Sequence, residues 1–175
     1  MPEIRATSLS DVELLPAIEQ SAGEAFRSHS EFSWVADDSV MSVEDHKRYV
    51  AAGTSWVAST GSGIVGFLCA EAVAGGELHI WELAVCAEVQ GSGTGTQLMR
   101  HAMASAARDP LCVSLTLTTF RDVAFNAPFY KRLGFEIVEE LEEEPRLRAL
   151  LAAEAAHGLP IESRCAMRLL IKPFP

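Results

Sequence analysis

The feature that most constrains this chain is a glycine-rich stretch, Gln90-Gly91-Ser92-Gly93-Thr94-Gly95-Thr96, set between two regular segments. Residues 77–86 before it are apolar and read as a strand. After it, Leu98, Ala102, Met103 and Ala106 recur on one helical face as far as Arg108, and Asp109-Pro110 stops the helix. Glycines at a strand-to-helix turn let the backbone bend sharply and approach a ligand closely. Successive N–H groups at a helix N-terminus form a cradle for phosphate oxygens. Two well-known phosphate loops are excluded. A P-loop ends in Gly-Lys-Ser/Thr, whereas Thr96 and Gln97 follow Gly95 here. A dinucleotide fingerprint needs G-x-G-x-x-G and a carboxylate after the next strand; the glycine spacing differs and residues 111–120 hold no carboxylate.

The rest of the chain supplies a mixed set of elements. Residues 3–8 read as a first strand. Asp11 is the expected N-cap of a helix whose apolar stripe is Leu14, Leu15, Ile18, Ala22, Ala25 and Phe26. Residues 28–41 read as irregular. Ser42 and Asp45 form a capping-box pattern that opens a second helix to about Ala52. Strands are expected over 54–60, 63–73 and 77–86, joined by Gly61-Ser62-Gly63 and Gly75-Gly76 as antiparallel hairpins. Beyond the glycine loop and its helix come a strand at 111–119, a short helix at 124–132, a strand at 135–140, a helix at 146–156 and a strand at 164–171. The 175 residues suit one domain, 1–175.

Charge narrows the partners. The net charge of −10 is the wrong sign for neutralising phosphates, so nucleic acid and anionic membrane are not expected partners; the field favours cationic small molecules. The four cysteines, Cys69, Cys86, Cys112 and Cys165, form no C-x-x-C pair, so no metal site is expected, and reduced thiols in a cytoplasmic protein are. The sequence lacks a signal-peptide pattern and an apolar run long enough for a membrane span.

Gln90, Gly93 and Gly95 fit the pattern Q/R-x-x-G-x-G/A, and here the sequence resembles the GNAT superfamily of acetyl-CoA-dependent N-acetyltransferases. Glu82-Leu83-Ala84-Val85-Cys86 is similar to that family's fourth strand. The run from Asn126 through Phe129 and Tyr130 to Gly134-Phe135 is similar to its Asn-to-Tyr segment. The resemblance covers about residues 64–140. It implies an α/β (α+β) fold: a mixed, mostly antiparallel, seven-stranded sheet with helices on both faces and a central splay between the fourth and fifth strands. It also implies roles. Backbone amides of Gly91, Ser92, Gly93, Thr94, Gly95 and Thr96 hold the CoA pyrophosphate, and Gln90 orders their loop. Backbone groups of Leu83, Ala84 and Val85 meet the pantetheine and thioester, Asn126 bonds the pantetheine or its nearby backbone, and Phe129, next to Tyr130, reads as a core residue on the cofactor side. Tyr130 protonates the leaving thiolate; its phenol, with a pKa near ~10, suits a thiol near ~8.5. The family loop often carries Arg or Lys where this chain has Gly91 and Ser92, so backbone and helix dipole carry more of the phosphate binding, with Arg100 or Arg132 as candidates to compensate.

An amine must lose a proton before it attacks. The resemblance gives that task to a carboxylate on the fourth strand, and Glu82 is the only charged residue from Leu78 to Ala87. His79 is the other candidate base and a candidate substrate contact. Trp34 is the aromatic expected at the acceptor side, with Phe32 and Trp56 as alternatives. The expected activity is direct acetyl transfer to a primary amine, of a small cationic molecule, in a ternary complex. The alternatives are acetylation of a protein N-terminus or lysine, and a non-catalytic acyl-CoA sensor. The resemblance also suggests a homodimer. The acidic run Glu139 to Glu144 reads as a solvated edge. The helix at 146–156, with Leu147, Leu150 and Leu151 on one face, is left open between packing on the domain, bounding the acceptor site and joining subunits.

Overall fold

The computed structural model describes residues 1–171. Its strands are β1 (Glu3–Ala6), β2 (Ser55–Thr60), β3 (Gly63–Val73), β4 (Glu77–Val85), β5 (Ser114–Phe120), β6 (Glu136–Ile137) and β7 (Arg164–Leu170). The helices are α1 (Leu15–Gly23), α2 (Val43–Ala52), α3 (Thr94–Arg108), α4 (Ala127–Arg132) and α5 (Pro145–Ala156). The strands form one seven-stranded sheet in the order β1-β2-β3-β4-β5-β7-β6. Pairing is antiparallel at β1–β2, β2–β3, β5–β7 and β6–β7, and parallel at β4–β5. The parallel register runs from Glu77↔Ser114 to His79↔Thr116, while β4 continues to Val85 and β5 to Phe120. None of the described helices is long and apolar enough to cross a membrane.

The chain divides into two compact units. The first is Met1–Ala72 with Ile80–Ser105. Its core holds Leu15 and Ile18 of α1, Tyr49 of α2, Val57, Phe67 and Cys69 of β2 and β3, and Ala84 of β4. Period-two alternation is weak in β2 and β3 because both faces are covered: Ser55–Ala58 and Gly66–Ala70 are buried without a break. The second unit is Val73–His79 with the chain from Ala106. In it Leu147 and Leu151 of α5 bury against Ala166 of β7, with Val138, Leu141 and Leu150 at the edge. The apolar face of α5 is therefore covered by its own sheet.

Several expectations change. Asp11 stands at the N-cap position of a 3-10 turn, Val12–Leu14, but its side chain makes no cap hydrogen bond. It takes helical dihedrals itself, and its carboxylate accepts from the Ser8 N–H (2.7 Å), the Ser8 hydroxyl and the Arg5 guanidinium. That cation holds it well below the usual carboxylate range. A 3-10 turn, Val12–Leu14, precedes α1, and another, Glu24–Phe26, follows it. The expected strand at 135–140 shrinks to Glu136–Ile137, since its remaining acidic residues gain nothing from a sheet edge. The Ser42 cap stands as expected: its Oγ accepts from the Asp45 N–H at 3.1 Å and donates to the Asp45 carboxylate at 2.6 Å. Cys69 and Cys165 are buried, Cys86 and Cys112 half-buried, and all four are free.

Candidate functional site

In the first unit the site residues follow directly from β4. A 3-10 turn, Ala87–Val89, carries the chain from β4 to Gln90. The Gln90 amide donates to the carbonyls of Val85 (3.0 Å) and Ala22 (3.2 Å), so it ties the end of β4 to the last turn of α1. Ser92 Oγ donates to the Val89 carbonyl at 2.6 Å and shares a hydrogen bond with Thr94 Oγ1 at 2.9 Å. Thr94 is buried, whereas Gly91, Ser92 and Gly93 are exposed. The Gln97 N–H bonds the Gly93 carbonyl, the first turn of α3. Ahead of it, the N–H groups of Gly93, Thr94, Gly95 and Thr96 take no acceptor among the described residues. They are the donors a helix start offers to an anion.

Gly91 and Gly93 have φ of +76° and +88°, and nothing lies within 4 Å of where a Cβ would stand. The need there is conformational rather than steric. Gly93→Ala is accordingly expected to cost about 1 kcal/mol in a urea melt, whereas Gly61→Ala, also in open space and without a positive φ, costs less.

Glu82 is half-buried on β4. Its Oε1 accepts from the Leu83 N–H at 3.1 Å, so one of the donors expected to meet the thioester is held by the neighbouring carboxylate. Ala84 is fully buried; Leu83 and Val85 are half-buried. The buried Cys69 thiol lies beside the Glu82 backbone. Burial pushes it well up, and the negative charges of Glu82 and Glu19 push it further, which places both carboxylates near it. Glu19 escaped the sequence reading. Its Oε2 accepts from the Met41 N–H at 3.0 Å. The signal was present: Leu15, Ile18, Glu19 and Ala22 share one helical face, so a carboxylate interrupts a core-facing stripe. Among the aromatic candidates, Phe32 and Trp56 are core residues, stacked with His29 and tilted against His101. Trp34 is 37% exposed on the 3-10 turn Ser33–Asp37.

In the second unit Asn126 precedes α4. Its side chain makes no cap, and its Oδ1 is buried without a hydrogen-bond partner among the described residues. A buried amide oxygen left unpaired calls for a ligand donor or water. The Asn126 carbonyl accepts from the Tyr130 N–H at 3.1 Å. The Tyr130 ring is 9% exposed and lies edge-on to Phe129 (5.0 Å) and Phe135 (5.8 Å). Phe129 is half-buried, with the Arg132 guanidinium 5.9 Å from its ring centre.

His79 lies on β4 opposite Thr116 of β5. It is 1% exposed, and its Nδ1 shares a 3.0 Å hydrogen bond with Thr116 Oγ1. Burial, then the Arg146 charge, push its pKa down to about 4 from 6.5. A neutral, buried imidazole belongs to the structural network of the sheet. Unfolding frees it to take up a proton, so its contribution is fullest above pH 6.5 and is lost as pH falls towards 4. The expected size is on the order of 3 kcal/mol across that window. Urea midpoints of wild type and His79→Gln, compared at pH 7 and 4.5, should converge as pH falls.

Residues 51–137, about half the chain, match the family model of the acetyltransferase (GNAT) domain. Solved structures share the fold. Ard1 from Thermoplasma volcanium is 22% identical with a TM-score of 0.66, and 98% of each chain is covered. The PaiA N-acetyltransferase of Thermoplasma acidophilum, in complex with coenzyme A, is 18% identical with a TM-score of 0.70, covering 97% of this chain and 99% of that one. The ribosomal-protein-S18-alanine N-acetyltransferase of Escherichia coli is 16% identical with a TM-score of 0.68, covering 100% and 97%.

Proposed function

Since the chain belongs to the GNAT superfamily of acetyltransferases, we propose that it transfers the acetyl group of acetyl-CoA directly to a primary amine of a small cationic molecule. The observation that carries this is the row of unpaired N–H groups from Gly93 to Thr96, on a loop that Gln90 fastens to β4 and α1. The residues fit the donor substrate. Four aligned N–H groups and the start of a fifteen-residue helix suit a pyrophosphate. The orphaned Asn126 Oδ1 suits an amide N–H of a pantetheine arm. The net charge of −10 suits a cationic acceptor.

Bound acetyl-CoA supplies the thioester carbonyl and a thiolate leaving group. Glu82 takes a proton from the acceptor ammonium, directly or through water, and frees the nitrogen lone pair. The C–N bond forms as the C–S bond breaks; Tyr130 gives its phenolic proton to the departing sulfur, the second proton of the acetylated nitrogen returns through water to the Tyr130 phenolate, and Glu82 releases its proton to solvent. Leu83 N–H becomes available to the carbonyl oxygen once Glu82 turns from it to the amine. Holding donor and acceptor together supplies much of the acceleration. A homodimer is part of the same proposal, and sedimentation of the purified chain tests it.

The test is release of free CoA thiol from acetyl-CoA across small amines and short peptides. The reading expects turnover of cationic small amines, reduced strongly in Glu82→Gln at neutral pH. Turnover confined to peptides moves the acceptor to a protein, and acetyl-CoA binding without any turnover makes the chain a sensor.

A further inference from the structure

We propose that Glu19 is a specificity-determining residue that receives a second ammonium group of the acceptor, so that the preferred acceptors are diamines. The inference rests on the amine-acetylation reading above. Three observations converge on it. First, Glu19 stands on the core-facing stripe of α1, between Ile18 and Ala22, where burial of a carboxylate is costly unless it is paired. Second, among the described residues its only hydrogen bond is the one that Oε2 accepts from the Met41 N–H; Oε1 takes none there, and no Lys, Arg or His pairs with it. Glu19 is half-buried, so its side chain is not sealed from solvent. Third, Glu19 and Glu82 act on the same buried thiol, Cys69, and Met41 itself lies 3.8 Å from that thiol, sulfur to sulfur. One unit thus holds both the proposed proton acceptor and a second carboxylate with a free oxygen.

The electrostatics agree. Burial, with Asp38 adding to it, pushes Glu19 up to about 6. A group in that condition gains from an incoming cation, and the described residues offer none that pairs with it. An ammonium at Oε1 would supply it, while the amine to be acetylated faces Glu82. The Met41 bond fixes the Glu19 rotamer beforehand, so little ordering is left for binding.

The experiment uses the full chain at saturating acetyl-CoA and three linear acceptors of equal length: a monoamine, an α,ω-diamine and an α,ω-amino alcohol. Wild type should favour the diamine in kcat/KM by about tenfold or more over both others, the scale of a hydrogen bond between charged groups. Glu19→Gln retains an acceptor for the Met41 N–H, so its thermal midpoint and its KM for acetyl-CoA should stay close to wild type. Its diamine preference should vanish through KM, with monoamine turnover kept. A diamine preference that survives in Glu19→Gln would overturn the proposal. So would a wild type that treats diamine and amino alcohol alike, a result that needs no variant. Wild type that binds acetyl-CoA but turns over no amine would overturn the reading beneath it instead, and this one with it.

Discussion

Tyr130→Phe is expected to lower kcat by at least about 10²-fold, the usual worth of a positioned proton donor. The loss should fall on kcat, with the KM for acetyl-CoA nearly unchanged. The packing makes the comparison clean: the ring is held edge-on between Phe129 and Phe135, and the backbone by Asn126, contacts that phenylalanine keeps. A general acid has a further signature. An acetyl thioester whose thiol is more acidic needs less help in leaving, so such a donor should narrow the gap between variant and wild type. Equal losses with both donors would assign Tyr130 to binding rather than proton transfer.

The largest loss of stability is expected at Arg168. Its guanidinium donates to Glu144 at 2.6 and 2.9 Å and to Glu77 at 2.7 Å, while Arg146 bonds the other Glu77 oxygen and Thr116. Glu77 is 16% exposed in its side chain and Arg168 23%. Removing the cation leaves the part-buried Glu144 carboxylate without its partner and Glu77 with Arg146 alone. Arg168→Met, which keeps the aliphatic stem, should cost about 2–4 kcal/mol, or roughly 5–15 °C in Tm for a chain of this size. Arg168 also holds Glu144 below the ordinary carboxylate range. That part of the stability is present above pH 4.5 and is lost as pH falls through the lowered value, so the penalty of Arg168→Met should shrink in acid. By contrast, Arg148 bonds Glu142 on the surface, 54% and 85% exposed, and Arg148→Met should change little. A loss at Arg148 as large as that at Arg168 would contradict this account.

Much of the fold was legible because the signals were local. Ser42 with Asp45, the Gly61-Ser62-Gly63 turn and Asp109-Pro110 mark boundaries through short-range backbone chemistry, and the elements fall beside them. The glycine loop was legible for the same reason: positive φ at Gly91 and Gly93 is a property of those residues themselves. Asp11 holds the N-cap position of a 3-10 turn without a side-chain cap because the Arg5 guanidinium, on β1, takes its carboxylate, and residue spacing does not show that competition.

The sequence by itself determined where the chain turns, which segments alternate or spiral, and the strand–loop–helix that offers N–H groups to an anion. These follow from dihedral preferences and from partners a few residues apart. Tertiary structure alone decided what each buried polar group meets. It turned His79 into a neutral member of a network with Thr116 and Arg146, laid α5 on β7, left Asn126 Oδ1 unpaired, and brought Glu19 from α1 to the Met41 amide, 22 residues away. The physical reason is that burial and pairing depend on distances closed by packing, which no spacing along the chain encodes.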